Sequence, residues 1–229
     1  MKNFENSYIK SHTSFIAGVD EVGRGPLAGP VIAGCSHYQV SSKLNEDFKF
    51  LREIGVTDSK KLTDKKRLKI LNHLGLKVTK KRQSLFNGRL KICLTEIGHT
   101  RIDQINILQA SLEAMKKSFL KLQTLEDTIL LIDGNKTIES LKRTQAFPVI
   151  KGDEKSVLIG LSSILAKVYR DQLMKNYSLQ YPHYDFEKNA GYPTKSHRHA
   201  LSIHGTTPIH RKSFKGVKEY VASKKGASI

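Results

Sequence analysis

Five short apolar runs, each bounded by polar or glycine-bearing segments, constrain the fold of this chain most strongly. They cover residues 15–19, 31–38, 91–97, 128–132 and 147–150. Runs of this length and setting are typical of β-strands. Between them, apolar residues at helical spacing predict helices over residues 63–74, 103–122 and about 154–176. The alternation of strands and helices predicts an α/β fold.

No stretch of the chain has the composition of a linker, so we expect one domain over residues 1–229. Its last part, from about residue 181 to 229, is rich in His, Lys and Arg and combines turns with short helices. We expect the tail after Lys224 to be frayed. The first ten residues contain no apolar signal segment, and nowhere do eighteen apolar residues follow one another. A cytoplasmic protein without a membrane span is therefore expected.

The charge of the chain indicates the kind of partner it binds. Lys and Arg number 39 against 21 Asp and Glu, a formal net charge of +18. Such an excess repels itself in a compact fold and is typical of proteins that bind polyanions such as nucleic acid. Cys35 and Cys93 lie in apolar runs, which predicts buried structural thiols in a reducing compartment rather than a disulfide or a metal site.

Four acidic residues follow the ends of predicted strands: Asp20, Glu21, Asp133 and Asp153. Loops at strand ends of open α/β sheets are where ligands gather, and parallel strands bring such ends together. Clustered carboxylates suit hard cations such as Mg²⁺, which prefer oxygen ligands. The alternative is that each acid is a solvated loop residue.

One geometric condition applies to the first two acids. Adjacent residues of a strand point to opposite faces, so Asp20 and Glu21 converge only if the strand breaks there. Gly23 and Gly25 make such a break reasonable. We therefore expect the first strand to end before Asp20.

The glycine loop, residues 23–30, follows the first acids directly. Its glycine spacing and its two prolines do not fit a dinucleotide-binding fingerprint. Glycines allow a backbone to approach a sugar–phosphate closely, and backbone groups can contact a 2′-hydroxyl. Arg24 offers a planar donor group for phosphate. The alternative is an ordinary tight turn.

Four histidines lie close together near the C-terminus: His197, His199, His204 and His210. Zinc is one conceivable ligand, but neither cysteines nor a matching ligand spacing accompany them. We expect phosphate contacts or hydrogen-bonded structural roles.

A set of motifs now resembles one known family, ribonuclease HII. The opening motif is AGVDEVGRGPLAGPV over residues 17–31, and the others follow in the family's order over nearly the whole chain. They are DSKKL (58–62), INILQA (105–110), DGN (133–135), KGD (151–153), ILAKVYRD (164–171), GYPT (191–194) with His197, and HRKSF (210–214).

The resemblance implies an RNase H-like fold, a mixed five-stranded sheet flanked by helices, with a C-terminal helical extension. It implies that the family's four catalytic, metal-binding acids correspond to Asp20, Glu21, Asp133 and Asp153. The cofactor it implies is Mg²⁺ or Mn²⁺ in a two-metal site.

The resemblance also implies residues that bind the substrate. Gly23, Arg24 and Gly25 match the family element that recognises the ribonucleotide 2′-hydroxyl, and Tyr192 matches its substrate-sensing tyrosine. Lys60, from its position in the DSKKL motif, is a candidate for phosphate contact.

The activity implied is cleavage of the RNA-containing strand of RNA–DNA duplexes, on the 5′ side of a ribonucleotide at RNA–DNA junctions. The products carry a 3′-hydroxyl and a 5′-phosphate. The implied partners are RNA–DNA hybrids and duplex DNA containing ribonucleotides, handled by a monomer during DNA replication and ribonucleotide excision repair. A non-catalytic basic RNA- or DNA-binding protein would explain the charge but not the acids. A nucleotidase would explain the acids but not the charge.

The chain departs from the family pattern after Asp153. Leu158 stands where the family commonly has a serine, and Leu161 where it commonly has an alanine. We expect the helix beside Asp153 to pack differently as a result, while no proposed metal ligand is removed.

Overall fold

The computed structural model describes residues 3–122, 127–138, 141 and 145–223. The tail after Lys224 lies outside the described residues. One mixed sheet forms the centre of the fold. Its strands are β1 (Phe15–Val22), β2 (Val31–Gln39), β3 (Gln83–Leu85), β4 (Leu90–Ile97), β5 (Thr128–Asp133) and β6 (Gln145–Val149). They lie in the order β3-β4-β2-β1-β5-β6 across the sheet.

The directions of the strands divide the sheet into two halves. In one half, the pairs β1–β2, β2–β4 and β4–β3 are antiparallel. In the other half, β5 runs parallel to β1, and β6 runs parallel to β5. The predicted α/β fold and mixed sheet are confirmed. The predicted number of strands is wrong by one, because the edge strand β3 has only three residues and is too short to form an apolar run.

Helices cover both faces of this sheet. They are α1 (Leu44–Glu53), α2 (Asp64–His73), α3 (His99–Leu120), α4 (Gly152–Lys155), α5 (Val157–Gln180), α6 (Phe186–Asn189), α7 (Lys195–His204) and α8 (Lys218–Ser223). Single 3₁₀ turns span Phe4–Ser7, Ser59–Lys61 and Pro182–Tyr184. None of the helices in the described part of the chain combines the length and apolar character needed to cross a bilayer.

The helix predictions hold with four differences, one of which is that α5 ends at Gln180, four residues after the expected position. α3 starts four residues before the expected position and is kinked at Asn106, whose φ is +65°. The helix expected from about residue 154 is broken at Ser156, which has extended backbone and caps α5 by accepting a hydrogen bond from the Ile159 amide. α1 was not predicted.

The apolar core lies on both faces of the sheet. On one face, Ile16 and Ile32 pack against α5, and on the other Ala17 and Val19 pack against α3. Side chains of β1 therefore alternate between two buried faces.

Two sequence expectations concern residues of this core. The departures from the family pattern, Leu158 and Leu161, lie in α5 and are fully buried in the apolar core between this helix and the sheet. Cys35 and Cys93 lie at directly paired positions of β2 and β4, and both are buried as expected.

A third apolar cluster joins the C-terminal helices to the glycine loop. Leu27 and Ala28 of the loop pack in a cluster that also contains Met174 of α5, Phe186 of α6 and Leu201 of α7. Residue Ala28 further forms an isolated antiparallel bridge with His210. The C-terminal part therefore supports the loop that follows the first two acids.

Candidate active site at the ends of the parallel strands

Three carboxylates meet at one end of the sheet. Asp20 lies in β1, Asp133 ends β5, and Asp153 lies in the first turn of α4. β1 and β5 run parallel with Val19 opposite Ile132, so Asp20 and Asp133 are brought to the same edge. One carboxylate oxygen from each acid lies within 4.8 Å of the others. This convergence was predicted from the strand ends, whereas the roles of the three acids stay predictions.

The position of Asp153 depends on a hydrogen bond from the neighbouring turn. The Gly152 amide donates to Asp133 Oδ1 over 2.8 Å, and the Gly134 amide donates to Val149 O over 3.0 Å. These bonds join the end of β5 to the segment that follows β6. They fix the start of α4, and with it Asp153, beside Asp133.

The carboxylates repel one another in a poorly solvated site. Burial, followed by the charges of Glu21 and Asp133, raises the pKa of Asp20 well above its usual range. Burial and then the charge of Asp133 raise the pKa of Asp153 to about 6. A divalent cation would relieve this repulsion, and an all-oxygen donor set fits Mg²⁺ or Mn²⁺. The residues present therefore fit the implied metal ions.

Lys60 supplies a positive charge at the rim of this cluster. Its Nζ lies 3.8 Å from Asp153 Oδ2, and its side chain is 78% exposed. Burial lowers the pKa of Lys60, but the charges of Asp20 and Asp153 outweigh that effect and raise it. Asp58, which the sequence analysis did not assign to the site, accepts a hydrogen bond from the Lys60 amide and orients this segment.

Glu21 does not belong to the group of three carboxylates. The expected strand break before Asp20 is wrong, because β1 continues to Val22, which pairs with Ile32 of β2. Consecutive side chains therefore point to opposite faces. Glu21 Oε1 instead accepts a hydrogen bond from Arg24 Nη1 over 3.2 Å. Burial raises the pKa of Glu21, although Arg24 opposes the shift.

The glycine loop is held by its carbonyl groups. The guanidinium of Arg211 donates to Gly23 O, Arg24 O and Gly29 O over 2.6–2.9 Å. Within the described residues, the amides of Arg24 and Gly25 donate no hydrogen bond. Two backbone donors beside the acids are thus available to a ligand.

Tyr192 lies next to this loop. A Cβ atom placed on Gly25 would lie 3.1 Å from Tyr192 Cε1, a tight contact that would require the ring to shift by a small amount. The tyrosine side chain is exposed on its other side, with 46% of the residue accessible. The structure thus places Gly25 and Tyr192 side by side at the protein surface.

The histidines separate into two groups. His197 and His210 are fully buried and hydrogen-bonded to each other through their Nε2 atoms, while His199 and His204 are exposed. In the described ranges, they form no group of three or more ligands that could hold a metal. The expected structural role therefore fits His197 and His210.

Sequence reasoning did not assign Arg170 and Arg211 to this site. Both guanidinium groups are almost completely buried beneath the glycine loop. Each lies within a motif quoted above, ILAKVYRD and HRKSF. An arginine at an otherwise apolar position of α5 was the signal that could have identified Arg170.

Comparisons with known proteins point to one family. The family model described as ribonuclease HII matches residues 17–217. Ribonuclease HII of Endomicrobium trichonymphae is 38% identical over 223 residues, which cover 97% of this chain and 96% of that protein. Ribonuclease HII of Chlorobium chlorochromatii (strain CaD3) is 42% identical over 207 residues, with 89% and 91% covered.

A solved structure shares the fold. The crystal structure of ribonuclease H2 from Pyrococcus horikoshii OT3 superposes with a TM-score of 0.69 at 22% identity, covering 92% of this chain and 99% of that one. This likeness confirms the expected RNase H-like fold. The family model and the curated relatives together favour the enzyme over the two alternatives considered above. The chain belongs to the ribonuclease HII family of endoribonucleases.

Proposed function

We propose that this protein is a divalent-metal-dependent endonuclease that cuts the RNA-containing strand of a duplex on the 5′ side of a ribonucleotide at an RNA–DNA junction. The cut leaves a 3′-hydroxyl and a 5′-phosphate. The observation that carries the proposal is the cluster of Asp20, Asp133 and Asp153 beside the glycine loop, in a chain of the ribonuclease HII family.

We infer that the three clustered acids and Glu21 hold two Mg²⁺ or Mn²⁺ ions. When bound, such ions lower the pKa of water and neutralise charge on the scissile phosphate. Glu21 is currently paired with Arg24, and its carboxylate has to turn from that partner to join the cluster. Release of this pair would leave the planar guanidinium of Arg24 available to a phosphate.

Recognition of the ribonucleotide is assigned to Gly23, Arg24 and Gly25. The free amides of Arg24 and Gly25 can donate to a 2′-hydroxyl oxygen, a group that deoxyribose lacks. The ring of Tyr192 lies beside Gly25, where the next sugar of the strand would pass. Because a deoxyribose presents an apolar edge to this ring, the arrangement favours a ribonucleotide followed by a deoxyribonucleotide.

The net charge of +18 supports a duplex with a phosphate backbone as the partner. Lys60 is proposed to contact phosphate, since its ammonium is exposed and lies next to the acids. Such contacts position the duplex without recognising its base sequence. We assign RNA–DNA hybrids and ribonucleotide-containing DNA as substrates, which suits DNA replication and ribonucleotide excision repair.

We further propose that the protein works as a monomeric single domain in the cytoplasm. All the residues assigned to the site come from one chain, so a second copy is not needed to complete it. The free thiols of Cys35 and Cys93, although directly paired across two strands, suit a reducing compartment.

The proposal is tested with three duplexes of one base sequence: DNA with one ribonucleotide, all-DNA, and an all-RNA strand paired with DNA. Each is incubated with Mg²⁺, with Mn²⁺ and with chelator. We expect one cut on the 5′ side of the ribonucleotide, only with metal and not in all-DNA. Extension by a polymerase identifies the 3′-hydroxyl, and ligation identifies the 5′-phosphate.

Two results would overturn the proposal. One is equal cleavage of the all-DNA duplex, which would mean that the glycine loop does not recognise the 2′-hydroxyl. The other is undiminished cleavage in chelator, which would mean that the carboxylate cluster does not act through metal ions.

A further inference from the structure

The two recognition elements of the proposed site are in direct contact. They are the glycine loop and the tyrosine loop, residues 189–194, which carries Tyr192. The Leu27 amide donates to Gly191 O over 2.7 Å. Gly25 and Tyr192 face each other closely, since a Cβ atom on Gly25 would lie 3.1 Å from Tyr192 Cε1. In the proposed function these loops contact consecutive sugars, so the distance between the loops would determine the space for both.

One buried side chain holds both loops from below. The guanidinium of Arg170, which is 1% exposed, donates from Nε to Pro30 O and from Nη2 to Ala28 O, each over 3.2 Å. Its Nη1 donates to Ala190 O over 2.9 Å. A single planar group thus binds carbonyls of the glycine loop and of the tyrosine loop.

Among the described residues, none of the ion pairs within 4.0 Å involves Arg170, so no carboxylate there pairs with its charge. Burial lowers its pKa to about 10, so it remains a cation at neutral pH. A buried cation that donates its hydrogen bonds to carbonyl groups depends on their placement, because charge-assisted hydrogen bonds are strong and directional.

Arg211 provides an internal comparison. It too is buried and bonded to three carbonyls, but all three belong to residues 23–29 of the glycine loop. Arg211 therefore shapes one loop, whereas Arg170 joins the two. Of the two buried arginines, Arg170 is the one whose side chain bonds carbonyls of both loops.

We propose that Arg170 is a positioning residue that fixes the separation of the glycine and tyrosine loops, and so determines the preference for a ribonucleotide followed by a deoxyribonucleotide. The inference rests on the proposed function. A misplacement of about 1 Å at a reacting site can cost on the order of 100-fold in rate. Small changes in loop separation are therefore expected to alter the choice of substrate.

The test compares cleavage rates of a single embedded ribonucleotide and of an all-RNA strand paired with DNA. Arg170→Lys keeps the charge, but an ammonium cannot reproduce the planar three-carbonyl contact. We expect the preference for the embedded ribonucleotide to fall roughly 10- to 100-fold. Arg89→Lys is the matched control, because Arg89 binds Asp47 at the opposite end of the sheet.

A double variant distinguishes positioning from general stabilisation. If Arg170 acts through the placement of Tyr192, then Arg170→Lys combined with Tyr192→Ala shows no lower preference than Tyr192→Ala alone. A merely structural role predicts equal losses on both substrates and a lower unfolding temperature. That pattern would overturn the inference.

A second variant moves the loops without touching Arg170. Gly191 has a φ of +82°, and a Cβ atom there would lie 2.8 Å from Ala28 O. Gly191→Ala is expected to separate the loops and to reduce the preference in the same way, which also provides the test if Arg170→Lys does not fold. An unchanged preference for the embedded ribonucleotide in a folded Arg170→Lys or Gly191→Ala variant overturns this inference but leaves the proposed function intact. Failure of the wild-type protein to cut either duplex overturns the proposed function as well.

Discussion

The Nε2 atoms of His197 and His210 lie 3.0 Å apart in the buried C-terminal part of the fold. The Thr207 amide donates to His210 Nδ1 over 2.9 Å, so the proton of a neutral His210 is on Nε2 and is donated to His197. His197 Nδ1 then donates to Tyr192 O over 2.9 Å. Both imidazoles are therefore neutral, and their hydrogen bonds end on the backbone of the tyrosine loop.

This histidine pair predicts a loss of stability in acid. Burial, followed by the charge of His197, lowers the pKa of His210 from 6.5 to about 3, and burial also lowers the pKa of His197. Below pH 6.5 the unfolded chain takes up protons that the folded chain excludes. The free energy of unfolding contributed by the pair is thus present above pH 6.5 and falls as the pH decreases towards about 3.

The measurement is chemical unfolding at several pH values between 7 and 4.5, for the wild type and for His210→Gln. The pKa values of Asp20, Glu21 and Asp153 are raised, so these acids increase the free energy of unfolding as the pH falls, opposite to the histidines. Because both proteins contain these acids, their effect cancels in the comparison. We expect a shallower loss of stability in the variant. Identical pH dependence in the two proteins would show that His210 is not buried in its neutral form.

Glu5 is predicted to be a major contributor to stability. It is fully buried, and its Oε1 accepts hydrogen bonds from Ser156 Oγ and the Val157 amide at the start of α5. Glu5→Ala leaves these donors buried without a partner, so we expect the free energy of unfolding to fall by about 1–3 kcal/mol. Denaturant unfolding measures the change.

The control for Glu5 is Glu46→Ala. Glu46 forms an exposed ion pair with Lys43, and exposed pairs contribute about 0.2–1 kcal/mol. A loss in Glu5→Ala no larger than the loss in Glu46→Ala would contradict the assigned capping role.

Tyr192 is predicted to select RNA–DNA junctions. A ribose in place of the following deoxyribose would bring a hydroxyl against the ring, at a cost of roughly 1–3 kcal/mol. Tyr192→Ala should therefore lose more activity on a single embedded ribonucleotide than on an all-RNA strand, by roughly 5- to 150-fold. Tyr192→Phe keeps the ring and should keep the preference. Equal losses of Tyr192→Ala on both substrates, with an intact circular dichroism spectrum, would indicate a purely structural tyrosine.

The sequence was sufficient to predict the elements that carry the acids. An apolar run before Asp133 and a glycine after it determine where β5 ends, and parallel pairing with β1 then brings Asp20 close. The end of a strand can be predicted in this way because it depends on residues that are close together in the sequence. The placement of Glu21 was not predictable in the same way, because continuation of β1 depends on its pairing with Ile32 of β2.

Contacts between distant segments were the part that the sequence did not reveal. Glu5 caps a helix that begins 152 residues later, and Arg170 binds carbonyls 140 and 142 residues earlier. Their residue types suggest exposed charges, and only the tertiary structure provides the buried donors and acceptors that reverse this expectation.

The central claim is that the clustered carboxylates hold the metal ions needed for cleavage. It is tested most directly by the cleavage rate of Asp133→Asn on DNA containing one ribonucleotide, with saturating Mn²⁺. Asparagine can still accept the hydrogen bond that Asp133 Oδ1 accepts from the Gly152 amide, so the fold should be kept. Asp185→Asn, which changes a partly exposed acid paired with Lys188, is the matched control.

We expect the cleavage rate of Asp133→Asn to fall on the order of 1,000-fold, because metal stabilisation of the developing charge is lost. This fall corresponds to a rise of about 4 kcal/mol in the activation free energy. Binding of the duplex in moderate salt should remain close to that of the wild type, since lysine and arginine side chains provide it. Cleavage by folded Asp133→Asn at a rate similar to that of Asp185→Asn would contradict the account.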